Sequence, residues 1–171
     1  MDTEINNKIV DIAKELIERK DITSLLNFRE AEFEEIRIGV GWDKEMAWSS
    51  YMIELVWREA FKIKEILPLF NCGSLATWYN FRKSDWLVGE SPRVGAIHIW
   101  QGYKEGVPGI RSGSGIVSAI EDNFVRVIEG VVSKKGDNEN LIVIEKLRNL
   151  NYSLMTGERP KGFIYTNKAI V

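Results

Sequence analysis

One cysteine and one histidine among 171 residues exclude a good deal of chemistry at the outset. Cys72 has no partner for an internal disulfide and cannot build a cysteine metal cluster. With His98 the sole imidazole, a metal site would rest almost wholly on carboxylates, so neither a metal nor a cofactor is expected. The first residues, "MDTEINNKIVDIAKELIERK", lack the basic start and apolar run of a signal peptide. No apolar run approaches the ~20 residues that span a bilayer. The expectation is a soluble chain made in the cytoplasm, with no membrane insertion. A formal net charge of −2, with dispersed Lys and Arg, gives no electrostatic attraction for nucleic acid.

What is present is ordinary in bulk: 44% hydrophobic and 28% charged residues, enough for one domain over residues 1–171 with a real core. Ile9, Val10, Ile12, Ala13, Leu16 and Ile17 recur at helical spacing, with Asp2 or Thr3 as cap and an end near Lys20. "DITSLLNFREAEFEEIRIG" adds a short helix. In "AWSSYMIELVWREA" the apolar positions Trp48, Met52, Leu55 and Val56 form one stripe that Ile53 and Trp57 widen, with Ile63 continuing it, which marks the central helix. "NCGSLATWYNFRK" supplies another, with Ser74 as N-cap.

From Pro92 the texture changes to "GAIHIWQGY", "SGIVSAI", "FVRVIEG", "ENLIVIEKL" and "GFIYT", which alternate as strands do. "VVSKKGDNEN" reads as a polar hairpin loop, and "GIRSGSG" as a turn entering a strand. Helices over about 5–90 followed by strands over about 92–166 predict an α+β domain, with N-terminal helices packed on a curled antiparallel β-sheet.

Several stretches, in this order, resemble the CHAP and NlpC/P60 branch of the papain-like cysteine peptidases and amidases. "GWDKEMAWSSYMIELVWREA" is similar to that family's Trp-Cys-Ala-x-Phe helix start, and "SPRVGAIHIWQGY" to its Pro-x-x-Gly-Asp-Ile strand. "SGSGIVSAIEDNFVRVIEG" resembles Gly-His-x-Gly-Ile-Val and the following Ile-Glu-Gly-Asn, and "KGFIYT" the closing Gly-Phe-Ile strand. The resemblance implies a papain-like fold and a site for cleaving peptidoglycan peptide or amide bonds. There a cysteine at a helix start is activated by the helix dipole, a strand histidine takes its proton, and a third polar residue orients the histidine.

Carried onto this chain, the nucleophile position falls on Ser49, the histidine position on Gly113 and the third position on Glu129. The family's strand aspartate is Ala96 here, and its asparagine is Val131. A serine hydroxyl without a base is not a nucleophile at neutral pH, and glycine offers none. The expectation is therefore an inactive relative of the cell-wall hydrolases, kept as a binding or structural module, with a phage or virion setting suggested by the family alone. A vestigial groove edged by Trp42, Trp48, Trp86, His98 and Trp100 would take a peptidoglycan fragment or a protein partner.

Two other readings compete with it. An active endolysin-like hydrolase would be a Cys-to-Ser variant, or would use Ser49 with His98 as a migrated base; the plainer role for His98 is a half-buried strand residue bonded to backbone. An oligomeric assembly component would instead use an outer face. Cys72 is read as a small buried apolar residue, and no carboxylate pair for glycoside hydrolysis stands out.

Overall fold

The structure, a computed structural model, describes residues 2–18, 48–62, 66–135, 138–150 and 157–168. Among the described residues three helices precede the long strands: α1 (Asp2–Glu18), α2 (Trp48–Phe61) and α3 (Ser74–Arg82), with a 3-10 turn at Leu67–Leu69. Six strands follow: β1 (Trp86–Gly89), β2 (Ile97–Lys104), β3 (Val107–Glu121), β4 (Phe124–Lys135), β5 (Asn138–Asn149) and β6 (Gly157–Lys168). All pair antiparallel, in the order β1-β6-β2-β3-β4-β5, so β1 and β5 are the edges. The expected α+β class holds, and among the described residues no helix is long and apolar enough to cross a membrane.

The apolar period of the sequence dictates which faces meet. Ile9, Ala13 and Leu16 turn the buried side of α1 onto α2. On α2 almost every side chain from Trp48 to Trp57 is buried, because α1 covers one side and strands β3 and β4 the other. Ile97, Ile99, Ile116, Ile128 and Ile164 complete this core from the sheet. At one end Trp57, Phe61, Phe70, Phe81 and Trp86 pack with ring centroids 5.3–6.2 Å apart, many of them edge to face, a geometry that suits aromatic quadrupoles. At the other end Trp48 anchors the start of α2: its indole Nε1 donates to the Ile142 carbonyl at 2.9 Å, and Gly130 leaves room for the ring.

The second face of the sheet carries Val117, Val125, Val127, Phe163 and Tyr165 as a smaller apolar cluster. This face is concave. Four strand spacings of about 4.8 Å would hold β5 and β6 about 19 Å apart in a flat sheet; yet Arg148 on β5 donates to the Glu158 carboxylate on β6. Only a strong curl, of the kind sheet twist allows, brings those side chains together.

Several local expectations need correction. Ser74 does not cap α3; Gly73 occupies the N-cap with no side-chain bond, and Ser74 turns inward instead. Trp48 is already helical, so Ser49 lies in the first turn of α2. "VVSKKGDNEN" is mostly strand, since the β4/β5 ladder runs out to Lys135↔Asn138, and "GIRSGSG" lies wholly inside β3. Strand β1 falls in the stretch read as helical. The short helix expected near Asp21–Gly39 and the groove residue Trp42 lie outside the described residues, as does Ile63.

Candidate functional site

A strand side chain points to one face or the other with period two, and that parity divides the expected site in half. Ile97 and Ile99 face the helices, so His98 and Trp100 face the concave side. Ser114 and Ile116 face the helices, so Gly113 and Gly115 face the concave side too. On β4, Ile128 and Gly130 lie toward α2, while Glu129 turns away from it. The structure thus gathers His98, Trp100, Gly113 and Glu129 on one surface and leaves Ser49, on α2, behind the sheet. Gly113 is not placed to serve as a base position for Ser49. Neither is His98.

The expected tryptophan groove divides in the same way. Trp48 and Trp86 are core side chains, 3% and 6% exposed, packed on the helix side. Trp100 alone of the described groove tryptophans belongs to the concave face.

On the helix side, the first turn of α2 does bring hydroxyls together, one residue along from Ser49. Ser50 Oγ and Ser74 Oγ lie 3.0 Å apart, and Ser74 Oγ donates to Ser114 Oγ at 3.1 Å. All three serines are buried. Their bonds satisfy polar atoms that burial would otherwise penalise. The chain consists of neutral hydroxyls throughout, and no bond within it reaches an imidazole, amine or carboxylate. One turn further along α2, Glu54 is buried with its Oε2 lacking a protein partner, and desolvation pushes its pKa up to about 8 despite the lowering influence of Arg58. Glu54 is a protonated core carboxyl at neutral pH.

The concave side is built around Arg148. Its guanidinium binds Glu129 in a fork, Nε to Oε1 and Nη2 to Oε2 at 2.7 Å, while Nη1 donates to Glu158. Trp100 lies beneath it, the guanidinium carbon 4.6 Å from the ring centroid. Burial pulls the Arg148 pKa down, but its bonds to Glu129 and the charges of Glu129 and Glu158 more than offset this and leave it raised. The glycines of "SGSGIV" make this packing possible. A Cβ on Gly113 would meet Trp100 at 2.3 Å, and one on Gly115 would meet Val127 at 2.4 Å and Glu129 at 2.7 Å.

His98 sits beside this group, 1% exposed, its ring tilted against Phe163 at 5.1 Å between centroids. Neither ring nitrogen has a protein partner, so the backbone bond expected for it is not made. Desolvation, with Arg148 adding to it, drives its pKa down to about 3, so the ring is neutral at physiological pH.

Above these residues opens a cavity of about 450 Å³, lined by His98, Trp100 and Arg111 together with Lys146–Asn149 of β5 and Gly157–Pro160 of β6. A neutral imidazole, an indole N–H and several cations can bind and orient a ligand; no serine, threonine or cysteine is among the lining residues. Among the described residues no three His, Cys, Asp or Glu side chains gather as a metal site. Cys72 is half-buried, bonded to the Asn71 side chain at 3.4 Å. Arg148, Glu158 and Arg111 escaped the sequence reading. The available signal was weak: Lys146 and Arg148 flank Leu147 on a strand, as cations on any solvated strand face could.

Compared with family models, curated proteins and solved structures, the chain matches none of them.

Proposed function

We propose that this chain is a binding module without hydrolytic activity, built on a plan of helices followed by a curled sheet similar to that of the CHAP and NlpC/P60 hydrolases. One observation carries the loss of chemistry. The two residues expected to assist a nucleophilic serine, His98 and Glu129, lie across the sheet from the serines at the start of α2, and Glu129 is already committed to Arg148. Ser50, the serine of that turn with a buried bonded hydroxyl, bonds to Ser74, which in turn donates to Ser114. A neighbouring hydroxyl can accept a hydrogen bond but is no base, and a missing general base accounts for a factor of about 10²–10⁴ in rate by itself.

The resemblance makes peptidoglycan the first polymer to try. Purified chain incubated with peptidoglycan sacculi is expected to co-sediment with them and to release no soluble fragments, and Ser49→Ala is expected to leave both results unchanged. Fragment release abolished by Ser49→Ala would overturn the reading.

A further inference from the structure

The concave face holds polar atoms that the protein itself leaves unanswered. His98 is fully buried with neither ring nitrogen bonded to protein, and the Trp100 indole Nε1 beside it is likewise buried and without a partner. Native interiors pair most such groups, and here both residues also line one cavity, which points to something that enters it.

Charge says what kind of ligand that is. Arg111, Lys146, Arg148 and Arg159 all contribute to the lining, against the single carboxylate of Glu158, with Glu129 behind Arg148 as the second anion. Glu158 is itself shared by Arg148 and by Arg111, whose Nη2 lies 3.7 Å from it. Even with Arg159 set aside, Arg111, Lys146 and Arg148 outnumber the carboxylates of Glu158 and Glu129 around the cavity, in a chain whose net charge is −2. The guanidinium of Arg111 is held over Trp100 with 5.8 Å to the ring centroid, at the mouth of the site, and its side chain is 80% exposed.

We propose that this cavity binds a small oxyanion, a phosphate or carboxylate group, which accepts hydrogen bonds from the ring N–H groups of His98 and Trp100 and is balanced by Arg111 and Lys146. The volume of about 450 Å³ leaves room for a metabolite-sized body behind the charged group. Arg148 contributes as a fixed positive charge; three of its five N–H donors go to Glu129 and Glu158, which hold it in place. The site owes nothing to the serines behind the sheet, so it stands whether or not the chain has lost a hydrolytic activity.

The single histidine makes the test direct, because the imidazole nitrogens of the whole chain give one set of signals. Full-length ¹⁵N-labelled protein at pH 7 is titrated separately with inorganic phosphate, with malonate and with sodium chloride at matched ionic strength, following the His98 ring and the Trp100 indole N–H, the latter assigned with Trp100→Phe. Saturable shifts at both groups with phosphate or malonate, absent with chloride, support the site, and the stronger of the two names the source of the anion. In Arg111→Glu/Lys146→Glu, two surface reversals that leave the buried cluster intact, affinity should fall about tenfold or more. Equal shifts with chloride, no shift with either oxyanion, or unchanged affinity in the double variant would each overturn the proposal.

Discussion

Two buried titratable groups on opposite sides of the sheet pull the pH dependence of stability in opposite directions, and separating them tests both environments at once. His98 has its pKa lowered from 6.5 to about 3. In the unfolded chain it takes up a proton below pH 6.5 that the folded state refuses, so its contribution to stability is complete above that value and is lost as pH falls. Between pH 7 and 4.5 the loss is about 2.5 kcal/mol, at roughly 1.4 kcal/mol per unit below the unfolded pKa. Glu54 runs the other way. Its pKa is raised from 4.5 to about 8, so its neutral form favours the folded state at low pH, and that advantage is lost as pH rises through this window. Acidifying from pH 7 to 4.5 restores about 3 kcal/mol from Glu54.

Together the two terms nearly cancel, and the wild-type curve hides them. Substitution exposes each slope. Urea unfolding at half-unit pH steps from 7 to 4.5 should show Glu54→Gln losing about 3 kcal/mol more stability on acidification than wild type. His98→Gln should gain about 2.5 kcal/mol relative to wild type over the same interval, and the double variant should return close to the wild-type slope. Only slopes are compared, so any constant cost of either substitution drops out. A Glu54→Gln curve parallel to that of wild type would refute the buried, neutral carboxyl, and a parallel His98→Gln curve the buried, neutral imidazole.

Three further outcomes follow from the packing. Gly113→Ala drives a methyl group into the Trp100 ring and should cost about 1–3 kcal/mol in urea unfolding; a neutral result would show that Trp100 is free to move aside. Arg148→Met strands Glu129 in the interior and should cost about 3–5 kcal/mol, most of it recovered in Arg148→Met/Glu129→Leu, with thermal unfolding of the three proteins as the check. Ser74→Ala removes the middle of the buried hydroxyl chain and should cost about 2 kcal/mol, whereas Ser49→Ala should stay within about 0.5 kcal/mol, since no comparable bond depends on it.

The order of helices and strands was legible because burial writes its period into the chain. Ile9, Ala13 and Leu16 could only be one face of a helix, and Ile97 and Ile99, or Val125 and Val127, only one face of a strand. Edges were less readable. Strand β1 is four residues, "WLVG", too short to show alternation, and its Trp86 is buried by pairing with β6 and by the aromatic cluster, both fixed from distant parts of the chain. Ser74 has the chemistry of an N-cap, but Ser50 and Ser114 offer its hydroxyl a buried partner on either side, and tertiary bonding prevailed over the local one.

The expected site residues divide across the sheet for a reason that lies in the pleat. A one-residue change of register turns every side chain of a strand to the opposite face, so a motif matched on "GIV" carries no information about which side of the sheet its neighbours occupy. Gly113 looked like a position that had lost a histidine. The pairing Trp100↔Gly113 gives the physical cause of the glycine: the indole crosses its partner strand there and leaves no space for a Cβ. That same parity sends His98, Glu129 and Arg148 to the concave face, and the curl then brings Glu158 to Arg148 from across three intervening strands. Arg148 and Glu158 stand only ten residues apart in sequence, yet no periodicity of that stretch shows that the two side chains meet. The residues with the richest chemistry thus come together through register and curvature, on the face where a ligand can be enclosed, while the helix start that resembled an active site is closed off by its own serines.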